Sequence, residues 1–479
     1  MASGRNNFIP IAIAAAIMFG IYSLPLPQPL VTAEGMVSLT ADGKTALAIL
    51  AFVIILWMTE VLPFPVTALF GLLLAYIFGL APFNEIVSYG FGSSVVVFFI
   101  GVLALSAGLT RSGLADRFTS TIISRTGFQS RKIVFAFIAT GAFLSMWIVN
   151  MSVAAILLPM AVALLRKVNQ KPLESNFGRA LLISVAWGPA IGGITTPVGN
   201  GANIVALGYL RELAGIPINF LTWMVVGVPA ALMTLPLAYL ILVKVFPPED
   251  IFPDDANSIS EIDAVPSKLA AAEWKALVIF TLAVMFWLGD PLLQHVSGIS
   301  IPIEVVALGA AVALFLPGIK ILTWKEAQGN IDWGSIILIA AGLSLGMIVF
   351  ETGAARWLAL LAFYPLGTLG PFLRIFLAVL IVEVLKVFFS SNTVTGVILV
   401  PIVIALAASF GVNPWYLAGP VAIATSMAFI LVTSSPTNVI PYAAGYFSIQ
   451  DFARAGILLT LIVPFCITVA FLIFAPLVW

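Results

Sequence analysis

Apolar positions in this chain come in long blocks separated by short polar breaks, not in the one-sided stripes of helices that face water. A bilayer core takes about 20 mainly apolar residues per helix. Blocks at 8–24, 45–62, 65–82, 92–110, 180–210, 220–246, 276–290, 302–317, 333–350, 415–448 and 455–477 predict eleven crossings. Two further blocks, 133–165 and 375–410, are too long for one ordinary helix. Each is broken by the same phrase, VNMSVAAILLP at 149–159 and SNTVTGVILVP at 391–401, with a Pro nine residues after the Asn. Arms of about 16 residues meeting at a polar tip predict re-entrant hairpins, which enter and leave on one side. The blocks 180–210 and 415–448 are also overlong and are interrupted by ITTPVGNGAN (194–203) and VTSSPTN (432–438).

The two tips lie about 242 residues apart, and the same offset relates other segments. GSSVVVFFIGVLALSAGLTRSGLADRF (92–118) matches WGSIILIAAGLSLGMIVFETGAARW (333–357), and GANIV (201–205) matches PTNVI (436–440). Five crossings per repeat is an odd number, so the two repeats are expected to be inverted. Inverted repeats with broken helices near the midplane are the layout of secondary transporters. The expected organisation is an N-terminal helix and outer loop at 1–43, then a first repeat at 44–246 carrying an inward-opening hairpin at 133–168. A linker at 247–274, the long polar stretch of the chain, leads to a second repeat at 275–479 with an outward-opening hairpin at 372–410.

Composition narrows the class. Hydrophobic residues make up 61% and charged residues 9%, against roughly 25% charged in soluble domains. With a mean hydropathy of +1.14, the expected fold class is an all-α polytopic membrane protein. Net charge is zero, which gives no reason to expect nucleic acid as a partner. The single cysteine, Cys466, excludes a disulfide framework, and the single histidine, His295, excludes a His cluster for a metal. The stretch from Phe8 to Leu24 lacks a small-residue cleavage site and is read as a first membrane helix.

Charge also orients the chain. With the N-terminus inside, 16 of the 21 Lys and Arg fall on the inner side, among them Arg5, Arg111, Arg166, Lys171, Lys325 and Arg454. Lys44, Arg211, Arg356 and Arg374 fall outside, and Lys386 lies within the second hairpin. This inward excess supports a cytoplasmic N-terminus, an outer C-terminus and residence in the cell (inner) membrane.

The four broken elements carry hydroxyls and amides: Asn150 and Ser152, Thr195 to Asn203, Ser391 to Thr395, and Thr433 to Asn438. Half-helix N-termini present positive dipole ends and unpaired N–H groups to an anion. Carbonyls exposed beside them suit Na⁺, so a cation can arrive with the anion without Arg or Lys. The motifs hold no carboxylate pair, which argues against a proton-driven cation pump.

On these residues the chain resembles the divalent anion:sodium symporter family, which carries dicarboxylates, citrate or sulfate. The resemblance covers nearly the whole chain and includes WMTEVLPFPVTAL (57–69), MWIVNMS (146–152), SSNTVT (390–395) and SSPTN (434–438). It implies an elevator-type transport domain on a homodimeric scaffold. It further implies an anion site of Asn150, Ser391, Asn392, Thr393, Ser435 and Pro436. Na⁺ sites would fall at Asn150 and Gly199, and at Asn392 and Ser435, with no metal beyond Na⁺ and no cofactor. The family's Ser-Asn-Thr tip is complete at 391–393, but Val149 and Met151 replace its Ser and Thr in the first copy. Losing two hydroxyls removes up to two hydrogen bonds to a charged acceptor, each worth roughly 1.5–3 kcal/mol.

The expected activity is therefore Na⁺-coupled uptake of C4-dicarboxylates such as succinate, malate and fumarate. The alternatives are Na⁺-independent exchange, or carriage of sulfate, an organosulfonate or a monocarboxylate. A membrane enzyme would need a nucleophile, base or metal cluster that the motifs do not offer, and a channel would not need an inverted repeat. Glu383 and Lys386, at i,i+3 in the second hairpin, read either as a self-neutralising pair or as a tethered charge in place of a bound cation. Glu60 is expected at the interface, His295 in a solvated outer loop, and Trp57, Trp333, Trp415 and Trp479 in an aromatic belt.

Overall fold

The computed structural model describes residues 8–32, 35–126, 129–249, 251 and 268–478. Arg5, Trp479 and most of the linker expected at 247–274 lie outside them. Apart from a small hairpin of β1 (Leu30–Thr32) and β2 (Gly35–Val37), with Leu30 opposite Val37, the regular structure is helical. The protein is an all-α polytopic membrane protein. Eight helices among the described residues are long and apolar enough to span a bilayer.

After α1 (Phe8–Ser23) the chain runs through α2 (Ala41–Thr59), α3 (Phe64–Ile77), α4 (Phe83–Phe91), α5 (Ser94–Ser112) and α6 (Leu114–Arg125). The helices α7 (Ser130–Ser145) and α8 (Asn150–Lys167) follow, then α9 (Asn176–Gly192), α10 (Gly201–Ala214) and α11 (Phe220–Val245). The second half repeats this order, beginning with α12 (Ala271–Ser297), α13 (Ile303–Phe315), α14 (Trp324–Asn330), α15 (Trp333–Glu351) and α16 (Ala354–Phe363). It ends with α17 (Pro371–Leu385), α18 (Asn392–Ser409), α19 (Trp415–Ala424), α20 (Pro436–Tyr442) and α21 (Ile449–Phe474). Helix α7 with α8, and α17 with α18, occupy the blocks where hairpins were expected. The short helices α4 and α6 recur as α14 and α16. The hydrophobic blocks did not predict these four, because each is too short for a span.

By internal packing the chain forms two compact units. The first comprises Met1–Val96, Ile204–Ile218 and Asp332–Thr425, and the second comprises Val97–Asn203, Asn219–Ile331 and Ser426–Trp479. Each unit thus draws helices from both halves of the sequence. In the second unit α9 lies along α7 on small residues. A Cβ at Gly188 would come within 2.5 Å of the Ile138 carbonyl, and one at Gly192 would collide with that of Ala142. Small residues four apart are what lets membrane helices approach this closely.

In the first unit Pro401 sits inside α18 and cannot donate to the carbonyl of Val397 four residues earlier. The hydroxyl of Tyr209, itself fully buried, donates to that carbonyl at 3.4 Å and to the Gly342 carbonyl at 2.7 Å. A side chain on a neighbouring helix therefore satisfies the group that the proline orphans.

Three residues depart from their expected settings. Trp57 and Trp415 are buried, 1% and 0% exposed, so they are core residues and not part of an interfacial belt. Trp57 donates through Nε1 to the Phe64 carbonyl at 3.1 Å. Trp333, at 37% exposure, keeps the surface position expected of it. His295 lies in the last turn of α12, not in a loop, although it is exposed. Glu60 caps α2 in the left-handed conformation, φ 49°, and is exposed.

Candidate functional site

The second unit contains the tip of the first hairpin, residues 146–149, and the break at 193–200 between α9 and α10. Asn150 opens α8 and is 3% exposed. Its backbone N–H donates to the Gly199 carbonyl at 3.3 Å. Its carboxamide nitrogen faces the carbonyls of Gly199 at 2.9 Å and Pro189 at 3.1 Å, and its oxygen accepts from Asn200 Nδ2 at 3.1 Å. This orientation of the amide follows from its neighbours, since the opposite one would turn the oxygen toward acceptors only. Asn150 and Gly199 are therefore in direct contact.

The break is held by further side chains. Thr196 donates its hydroxyl to the Met146 carbonyl in the tip. Asn203 donates from Nδ2 to the carbonyls of Gly193 and Thr196, both at 2.8 Å, and Trp223 Nε1 takes the Ile194 carbonyl at 2.8 Å. Non-helical backbone at membrane depth has to be satisfied within the protein, and these donors do so.

The break between α19 and α20 ends in the same unit and uses the same device. Asn438 Nδ2 donates to the Ala428 carbonyl ten residues earlier at 2.7 Å, as Asn203 does to Gly193 ten residues earlier. Asn438 is fully buried, and among the described residues its Oδ1 has no donor. Ser435 is 3% exposed and extended, and Pro436 opens α20 with its ring exposed. The N-termini of α8 and α20 belong to this unit, and the two helices pack together. Both direct positive dipole ends at the broken segments. Sequence reading counted Asn203 and Asn438 among the polar groups of the breaks and aligned GANIV with PTNVI, but gave neither a role of its own. The shared Asn in that alignment was the available signal.

Ser391, Asn392 and Thr393 belong to the first unit, at the tip that starts α18. Ser391 is the N-cap, accepting from the Val394 N–H at 3.4 Å, and Asn392 is 8% exposed. Thr395 donates its buried hydroxyl to the Ser391 carbonyl at 2.9 Å. The matching N-cap of α8 is Val149, which has no side chain to make that bond. Glu383 and Lys386 are both buried in the first arm of this hairpin, 2% and 1% exposed. Of the expected site residues, Asn150, Gly199, Ser435 and Pro436 thus lie in one unit, while Ser391, Asn392 and Thr393 lie in the other.

Residues 54–396 match the model of a family described as citrate transporter. A protein named sodium-dependent dicarboxylate transporter SdcS from Staphylococcus saprophyticus is 29% identical over 456 residues, covering 91% of this chain and 87% of that protein. The SdcS of Staphylococcus aureus strain USA300 is 28% identical over 439 residues, covering 88% and 84%. An uncharacterized transporter of Haemophilus influenzae is 29% identical over 430 residues, covering 88% and 89%. Among solved structures, the YdaH transporter of Alcanivorax borkumensis superposes with a TM-score of 0.57 at 13% identity, over 98% of this chain and 99% of that one. MtrF of Neisseria gonorrhoeae, from a class of efflux pumps, does so with 0.59 at 12% identity, over 96% and 94%. At such identities the likeness concerns the fold alone.

Proposed function

The chain belongs to the citrate transporter family, among the divalent anion:sodium symporters, and from that premise we propose that it takes up C4-dicarboxylates together with Na⁺. Membership makes it a multi-pass membrane transport protein. The finer reading is supported most directly by relatives named sodium-dependent dicarboxylate transporters that align along nearly the whole chain.

In this reading the anion lies against Asn150, Ser391, Asn392, Thr393, Ser435 and Pro436. One Na⁺ is held at Asn150 and Gly199, and a second at Asn392 and Ser435. Backbone carbonyls and amide oxygens are the hard oxygen donors that a small cation needs, and the cation offsets the charge of the anion. The direct contact of Asn150 with Gly199 supports the first cation site. The protein works as an elevator-type homodimer in the cell (inner) membrane, with the N-terminus cytoplasmic and the C-terminus outside. Uptake of labelled succinate, citrate, sulfate and taurine into proteoliposomes, with and without a Na⁺ gradient, tests the proposal. Succinate accumulation that requires the gradient is expected, and accumulation of sulfate or taurine alone would replace the substrate class.

A second reading has one observation in its favour. Lys386 is 1% exposed inside a hairpin arm, three residues from the buried Glu383, and an ionisable group at that depth is a candidate to take the place of a bound cation. Na⁺-independent exchange would follow from it.

A further inference from the structure

Helix α8 keeps one face open along its length. Met151, Ala155, Pro159 and Arg166 are exposed, and Leu158 and Val162 on the same face are half-buried. Residues at these spacings share a side of a helix. Helix α20 and the turn after it do likewise with Pro436, Val439 and Ala443. These two helices pack together in the second unit, and a cavity of about 750 Å³ lies between the C-terminal half of α8 and the turn after α20. Leu158, Val162, Arg166, Lys171 and Ala443 line it. Its floor is fixed: Tyr446 donates its hydroxyl to the Gln170 carbonyl at 3.3 Å, and its ring fills the space left by the missing side chain of Gly178.

The two charged residues that line the cavity, Arg166 and Lys171, are both basic. Arg166 and Lys167 have no carboxylate within ion-pair distance among the described residues. Lys171 keeps only a loose, exposed pair with Glu174 at 3.9 Å, and Arg179 is matched by Asp451 at 3.4 Å.

We propose that this cavity is an anion-loading vestibule: Arg166 and Lys171 gather small carboxylates or oxyanions there for the carrier's binding site. A concave surface of one sign concentrates counter-charged solutes and raises their encounter rate, with an effect that salt removes. The proposal rests on the carrier reading above and adds an attracting site distinct from the residues assigned there.

The test uses the full chain in bilayers of zwitterionic phosphatidylcholine. Val162→Cys and, on the opposite wall, Ala443→Cys are reacted with a negatively and a positively charged methanethiosulfonate of similar size. At low salt the anionic reagent is expected to gain by about fivefold over its ratio in the Arg166→Gln/Lys171→Gln background. That preference should collapse near 1 M salt, where the Debye length is about 3 Å. In vesicles, the same double variant should raise KM for substrate loaded from that side about threefold at low salt. Equal reagent ratios in both backgrounds at both cysteines would overturn the vestibule. So would a preference that appears only when anionic phospholipid is added, because the pair would then be holding lipid headgroups. If the reagent ratios shift as expected while no anion is transported at all, the vestibule is supported and the carrier reading fails.

Discussion

Asn203 and Asn438 hold the two breaks open in the same way, yet with unequal loads. Asn203 satisfies two buried carbonyls, those of Gly193 and Thr196, while Asn438 satisfies only that of Ala428. A buried carbonyl left without its donor costs about 1–3 kcal/mol. Asn203→Ala should therefore lower the thermal midpoint of the purified protein more than Asn438→Ala does. A reversed order would show that the hydrogen bonds do not set the stability of the breaks. The tips differ as well. Ser391 caps α18, whereas Val149 leaves the start of α8 without a side-chain acceptor. Val149→Ser is expected to stabilise the protein by about 1 kcal/mol. Combined with Met151→Thr, it should also make succinate a stronger competitor of uptake. A stabilised variant with unchanged competition would remove these positions from contact with the anion.

At the scale of elements, Glu249 ties the chain beyond α11 to the start of α9. Its carboxylate accepts from the N–H groups of Asn176 at 2.7 Å and Phe177 at 2.8 Å, and from the Ser175 hydroxyl at 3.2 Å. Its own backbone carbonyl accepts from Ser130, the first residue of α7. Partial burial pushes the carboxyl up, but the hydrogen bonds at a helix N-terminus outweigh it and hold the pKa below the ordinary 4.5. A depressed folded-state pKa adds stability that is present above the unfolded value and is lost as pH falls through the folded one. Glu249→Gln should therefore destabilise the protein by about 1 kcal/mol near neutrality. The gap from the parent should narrow as pH falls below 4.5 and through the depressed pKa of the carboxyl. Thermal melts of both proteins from pH 7 down to that region would reveal it. A constant gap at all pH values would mean that the carboxylate acts through shape alone.

For the whole molecule the open question is how charge is balanced during transport. If Asn392, Ser435 and their neighbours bind Na⁺, uptake should rise steeply with Na⁺ and stop when choline replaces it. A doubly charged anion moving with more than two Na⁺ should also carry current. If Lys386 supplies the charge, counter-transport runs without Na⁺, and Lys386→Ala stops it. Uptake that ignores Na⁺ but requires substrate inside the vesicle would exchange the first mechanism for the second. It would leave the all-α membrane fold untouched.

The order of hydrophobic blocks by itself determined the membrane class, most of the helices, and the places where two blocks break at an Asn. These features are local: apolar length decides whether a segment enters lipid, and a polar tip inside it must be covered. The repeated phrases also carried the family resemblance that the comparison with citrate transporters established. The sequence did not reveal the short helices α4, α6, α14 and α16, whose lengths give no span signal. Nor did it reveal the burial of Trp57 and Trp415, because an indole at a span end reads alike whether lipid or protein lies beside it. Tertiary structure alone decided that Tyr209 serves the carbonyl orphaned by Pro401, and that Asn150 closes on Gly199 and Asn200. Such pairings bring together groups 49 to 188 residues apart. The need for a donor is written at one position and its identity at another, and only folding joins them.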